Sequence, residues 1–166
     1  VSITPYKQLV VYPVLYVPGS YQGWDPANPA TIVSSVKSDG NYEGYLYFVD
    51  ANVNYKYADG PSWDVNYGDT GADGTLDKNG DDIAVVDAGM YRMNVDFNNL
   101  MHTAVKTDWG LIGDATPTGW DSDTDLVYDD TSGTLKLTVD LGTGAIKFRA
   151  NDNWDVNMGD TDGNGS

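Results

Sequence analysis

Three observations predict an all-β chain made of two tandem immunoglobulin-like β-sandwich modules, the second incomplete. Short runs of alternating apolar and polar residues recur about every ten residues, separated by Gly, Asp, Asn and Pro. No segment shows helical periodicity with caps. The chain also repeats itself. Ser62-Trp63-Asp64-Val65-Asn66-Tyr67-Gly68-Asp69-Thr70 returns as Asn153-Trp154-Asp155-Val156-Asn157-Met158-Gly159-Asp160-Thr161, differing only at the first and sixth positions. A second tryptophan precedes each copy, in Gly23-Trp24-Asp25 and in Gly119-Trp120-Asp121. The later pair is offset by 91 residues (63 to 154) and the earlier by 96 (24 to 120), a period that suits a small β domain.

Taken in order, residues 1–13 read as a connector, 14–107 as the first module and 108–166 as the second. Leu15-Tyr16-Val17 is a short strand stopped by Pro18-Gly19, and the loop after it carries Trp24. Asn41 to Val49 alternates between one face with Tyr42, Gly44, Leu46 and Phe48 and another with Glu43, Tyr45, Tyr47 and Val49. Asn52 to Ala58 reads as one strand with Tyr55 and Tyr57 inward, which turns Lys56 outward. Asp69 to Asp82 reads as a mobile or turn-rich loop. Ile83 to Val86, Met90 to Phe97 and Leu100 to Lys106 complete the module, with a turn at Asn98-Asn99. In the second copy, Leu111-Ile112, Leu126 to Tyr128, Thr134 to Leu141 and Ala145 to Ala150 are the expected strands. Leu135, Leu137, Val139 and Leu141 face inward, and Ile146-Lys147-Phe148 matches Tyr55-Lys56-Tyr57. Only five residues follow Thr161, whereas copy one adds three strands after Thr70, so the natural chain is expected to continue beyond Ser166.

The formal net charge is −16, and Glu43 is the one glutamate among the acids. Such a surface lacks the basic patch that nucleic acid or an anionic membrane requires, so no nucleic-acid partner is expected. One histidine, one glutamate and no cysteine leave no His- or Cys-based nucleophile and base. Paired aspartates could serve a glycosidase, but no pair stands out, and the chain reads as non-enzymatic. His102 falls in a predicted strand as a surface or structural residue. Asp77-Lys78-Asn79-Gly80-Asp81-Asp82 spaces oxygen side chains like a calcium loop, yet Asp82 stands where the EF-hand pattern wants Gly and Ala88 where it wants an acid. Neither a metal nor a cofactor is expected.

The tryptophans carry the functional signal. Trp24, Trp63, Trp120 and Trp154 lie in loops rich in Gly, Asp, Asn or Pro, each followed by Asp, whereas Trp109 lacks that context and reads as packing. A strand lysine precedes the later Trp by seven residues in both copies, Lys56 before Trp63 and Lys147 before Trp154. An indole face covers the apolar C–H face of a pyranose, and an ammonium donates to hydroxyls, so two indoles and a cation suit a sugar.

Gly19-Ser20-Tyr21-Gln22-Gly23-Trp24-Asp25-Pro26, with Tyr55-Lys56-Tyr57 and Trp63, resembles the glycan-binding modules of SusE/SusF-type proteins of Bacteroidetes. So does Gly113-Asp114-Ala115-Thr116-Pro117-Thr118-Gly119-Trp120-Asp121 with Ile146-Lys147-Phe148-Arg149 and Trp154. The order of these residues is also similar to the starch-binding module of glucoamylase-type enzymes, where two tryptophans and a lysine form one site. The resemblance implies carbohydrate-binding by Trp24, Lys56 and Trp63, and by Trp120, Lys147 and Trp154 with Arg149 beside them. Arg149 aligns with Ala58, so the two sites should differ. It further implies a surface-exposed lipoprotein of the cell outer membrane that holds starch or another α-glucan for a glycan importer complex. The alternatives are another polysaccharide on the same platforms, or a spacer or protein-docking domain with buried tryptophans.

Overall fold

The structure is a computed structural model, describing residues 12–161 and 163. The connector expected at 1–13 therefore lies almost wholly outside the described residues. The chain divides into two compact units, Val1–Lys106 and Thr107–Ser166. Among the described residues it is all-β. Among the same residues the one helical element is a 3-10 turn at Ser20–Gln22, and none of them forms a helix long and apolar enough to cross a membrane.

The first unit contains β1 (Val14–Tyr16), β2 (Ile32–Ser34), β3 (Asn41–Phe48), β4 (Val53–Tyr55), β5 (Tyr57–Ala58), β6 (Asn66–Gly68), β7 (Asp77–Lys78), β8 (Ile83–Val85), β9 (Gly89–Asp96) and β10 (Met101–Lys106). Eight of these form one antiparallel sheet in the order β10-β9-β3-β2-β1-β5-β6-β7, and β4 pairs separately with β8. The two ends of the eight-stranded order meet. Leu76 N–H donates to the Leu100 carbonyl (2.6 Å), and His102 N–H to that of Gly74 (3.0 Å). Inward positions from both sheets, among them Leu15, Phe48, Tyr55, Tyr57, Met93 and Val95, fill one core at 2% exposure or less. Several sheets around one apolar core are consistent with a β-sandwich.

The alternation read from the sequence reappears in β3 and β9, where Leu46, Phe48, Tyr91, Met93 and Val95 are buried and their neighbours are not. The single strand expected over Asn52 to Ala58 is instead two. The chain leaves the β4–β8 pair and enters the large sheet at Lys56, whose N–H donates to the Pro18 carbonyl (2.9 Å). Because the switch occurs in one residue, Tyr55 and Tyr57 both stay in the core and Lys56 alone points away. The sequence predicts no strand at β2, β6 or β7. They are two or three residues long, too short for a pattern of their own, so their pairing comes from neighbouring strands.

Residues 69–82 are turn-rich, as expected, and held by side chains. The Asp69 carboxylate accepts the N–H groups of Asp73 and Gly74 (3.0 Å each), and Leu76 within the segment is 1% exposed. Among the described residues no three metal-ligating side chains come together. His102 is structural and buried: its Nε2 lies 3.1 Å from Asp69 Oδ2. Gly68 explains one invariant position of the repeat. A Cβ there would lie 1.9 Å from the Asp81 carbonyl oxygen, whereas one on Gly159 would meet only the Lys147 side chain, at 3.1 Å. Gly68→Ala is thus expected to destabilise the first unit by about 3 kcal/mol through overpacking against backbone. Gly159→Ala should cost less than about 1 kcal/mol, since a flexible side chain can yield. Thermal denaturation of the two variants checks both.

The second unit contains β11 (Trp109–Ile112), β12 (Thr124–Asp125), β13 (Val127–Asp129), β14 (Thr134–Lys136), β15 (Lys147–Ala150) and β16 (Asn157–Met158). Its sheet runs β12-β11-β15-β16, with β13 and β14 as a separate pair. Trp109 is buried in β11, the packing role read for it. The expected strand Thr134 to Leu141 stops at Lys136. Leu135, Leu137 and Val139 alternate as half-buried positions, and Leu141 is exposed. Ile146 and Phe148 are 38% and 42% exposed, where Tyr55 and Tyr57 are fully buried. The local pattern is the same in both copies, but burial needs an opposing layer, and only the first unit supplies one over these positions.

Candidate functional site

Trp24 reaches its position from the 3-10 turn Ser20–Gln22, which ends at Gly23 with φ 75°. Trp24 itself has φ 61°, a left-handed conformation rare for a bulky residue and costing about 1–3 kcal/mol. Neighbours hold it there: Trp24 N–H donates to the Gly19 carbonyl (2.9 Å), and the Gln22 amide bonds both the N–H and the carbonyl of Asp25 (2.6 and 2.7 Å). Such strain suits a position where the indole's direction matters more than local comfort.

The backbone at Trp63 is set by the repeated nonapeptide. Asn66 Nδ2 donates to the Trp63 carbonyl (3.0 Å), and Asn157 Nδ2 to that of Trp154 (2.9 Å). The first repeat position varies without changing its job. Ser62 Oγ accepts Asp64 N–H (3.2 Å), and Asn153 Oδ1 accepts Asp155 N–H (3.0 Å), the same short turn made by two residue types. The sixth position varies because its surroundings do: Tyr67 packs edge-on against Phe97 (5.0 Å), while Met158 is exposed.

Both tryptophan pairs come together, with nearly the same geometry. The Trp24 and Trp63 rings lie 6.2 Å apart with planes inclined at 44°; Trp120 and Trp154 lie 6.1 Å apart at 41°. Trp63, Trp120 and Trp154 are 39%, 41% and 47% exposed, and Trp24 is half-buried. Each pair is therefore a V-shaped aromatic surface open to solvent.

The lysines join these surfaces differently. Trp24, Lys56, Trp63, Asn66, Asn79 and Asp82 line one cleft of about 420 Å³. Lys56 is less exposed than an outward strand position implies. Its Nζ donates to the Gly80 carbonyl and forms an ion pair with Asp82 at 3.6 Å, beyond hydrogen-bond length. Lys147 Nζ instead donates to Asn157 Oδ1 (3.0 Å). Asn66 is not singled out in the sequence, and Asn79 and Asp82 are weighed there only as part of a calcium-like loop. Asn66 could have been, because Asn157 repeats it. Asn79 and Asp82 belong to a turn brought to the cleft by β6–β7 pairing, which no local pattern announces.

Arg149 lies beside Trp154, but two of its nitrogens are taken by a buried carboxylate. Its Nε and Nη2 bond the two oxygens of Asp123 (2.9 and 3.1 Å), with both side chains almost wholly buried, and its guanidinium lies 5.1 Å from the Trp154 ring centroid. The Arg149 guanidinium holds the Asp123 carboxyl below its ordinary range. The chain matches no family model, no curated protein and no solved structure.

Proposed function

We propose that this chain is a non-catalytic glycan-binding protein, with two tandem immunoglobulin-like carbohydrate-binding modules that hold an α-glucan such as starch. The observation that carries the reading is the duplicated Trp–Trp geometry. The two copies, whose adjoining strands are buried to different extents, hold ring separations within 0.1 Å (6.2 and 6.1 Å) and inclinations within 3° (44° and 41°). A core contact has no reason to recur with half its surface open to water, since apolar area left exposed forgoes its stabilisation. Successive glucose units in an α-glucan helix turn relative to each other, and an inclined pair of platforms follows that turn. A straight, flat chain would call for coplanar rings. Beside each platform an ammonium and an asparagine supply hydroxyl partners: Lys56 with Asn66, and Lys147 with Asn157. On this reading the protein captures glucan at the outer surface of a bacterial outer membrane and works with a glycan importer, as the resemblance implies.

Gel electrophoresis of the intact protein through separate gels containing starch, glycogen, cellulose derivative or xylan tests it. Retardation by the α-glucans alone is the expected result. Retardation by the straight-chain polysaccharides alone would replace the ligand, and migration unchanged in every gel would overturn the glycan reading.

A further inference from the structure

The two sites have the same tryptophan geometry but different foundations. In the first unit Tyr16 of β1 pairs across the sheet with Ala58 of β5. At the equivalent cross-strand position of the second unit, Gly110 of β11 pairs with Arg149 of β15. The bulky side chain has moved from one strand to its partner. This exchange makes room for a third group: a Cβ on Gly110 would lie 2.6 Å from Asp123 Oδ2, so no other residue there leaves space for that carboxylate. Asp123 in turn takes both ends of the Arg149 fork, with its side chain 2% exposed. The planar guanidinium so fixed lies against the Trp154 ring. Among the described residues no cation is placed over the Trp63 ring.

We propose that Arg149 is a positioning residue that braces Trp154 from the protein side, so that the second site is held ready while the first must set Trp63 on binding. The proposal rests on the glycan-binding reading for its ligand, though not for its geometry. A guanidinium whose Nε and Nη2 are held by a buried carboxylate, with Nη2 also 3.8 Å from Asp152, has low freedom to move and so cannot follow a sugar. It can present its face to an indole, where the positive charge meets the ring's negative π surface. Trp154 keeps 47% of its surface exposed for the ligand. Restricting the free site lowers the ordering cost of binding, which makes the second site the tighter of the two.

The test uses the full chain with Trp24→Ala and Trp63→Ala, which leaves one glucan site. To this parent, Arg149→Ala and Asp123→Ala are added together, so that neither charge is left buried alone. A second variant adds Gly110→Tyr to restore the first unit's Tyr–Ala pairing should the vacated space prevent folding. The measurements are the exciton couplet of the Trp120–Trp154 pair in circular dichroism without ligand, and the Kd for a soluble malto-oligosaccharide. In whichever variant folds, the ligand-free couplet is expected to fall by about half and the Kd to weaken by roughly five- to tenfold, because the loss is one of preorganisation. Arg149→Lys keeps the charge but not the fork, and should reduce the couplet similarly. An unchanged couplet with binding lost would make Arg149 a direct ligand contact and overturn the proposal. Unchanged couplet and Kd would make it a structural ion pair only, which also overturns it. If the parent binds no malto-oligosaccharide, the glycan reading fails on its own, and the couplet still decides the brace.

Discussion

Changing Trp24 and Trp63 together to alanine is expected to remove glucan binding from the first unit while shifting its melting temperature by no more than about two degrees. Each indole stacked on a sugar removes on the order of 100 Å² of apolar surface from water, or roughly 2.5 kcal/mol. Two per site give about 5 kcal/mol, and ordering a flexible glucan offsets part of it. A single site then binds in the millimolar to high-micromolar range that roughly −4 to −6 kcal/mol implies. A polymer can engage both sites of one chain, so its apparent affinity exceeds that of a short oligosaccharide. The double variant should lose far more affinity for starch than for oligosaccharide, and adding Trp120→Ala and Trp154→Ala should abolish both. Titration calorimetry against the two ligand lengths, with thermal denaturation alongside, reads the result. Starch binding by the quadruple variant, or unfolding of the first unit by Trp63→Ala alone, would show that the indoles are structural.

Asp69→Ala is expected to do the opposite: little direct effect on the ligand surface, and a loss of about 3 kcal/mol of stability in the first unit. The Asp69 side chain accepts the N–H groups of Asp73 and Gly74 and faces His102 Nε2, all around a buried carboxylate. Truncation leaves those donors inside without an acceptor, and it cuts the contact joining the residue after β6 to β10. Burial works against the charge on Asp69, but the Gly74 N–H, the His102 ring and the Asp73 N–H outweigh it and hold the carboxyl below its ordinary range. A depressed folded-state pKa contributes stability that is present above the unfolded value, near 3.9, and is lost as pH falls through the folded value. Below about pH 4 the melting temperature of the native first unit should therefore decline, and the decline should be shallower in Asp69→Asn. A pH series of thermal melts on the two proteins checks the sign.

The duplicated nonapeptide contains both kinds of residue, and its sequence does not separate them. Trp63, Asn66 and Asp69 recur as Trp154, Asn157 and Asp160 with equal fidelity. In the first unit the three serve the exposed aromatic surface proposed to take the ligand, the loop that aims it and the closure of the sheet. Gly68 recurs as well, yet only in the first unit does backbone crowd it. Repetition reports that a position is retained, while its role depends on what the rest of the chain packs against it.

The all-β class, the duplication, the alternating strands β3 and β9, and the pairing of the four loop tryptophans were legible in the sequence. Those signals are local: periodicity of two reflects alternating faces, and an indole in a Gly/Asp loop stands out against its neighbours. The sheet switch at Lys56, the short polar strands β6 and β7, and the arrival of Asn79 and Asp82 at the cleft were decided by tertiary structure. So was Arg149: the resemblance places it beside the binding set, but Gly110 and Asp123, 39 and 26 residues earlier in the chain, turn it toward a buried carboxylate next to Trp154. A two-residue strand has no pattern of its own, and a cation's direction is set by the carboxylate it finds, so both wait on long-range pairing between segments that sequence spacing leaves unconnected.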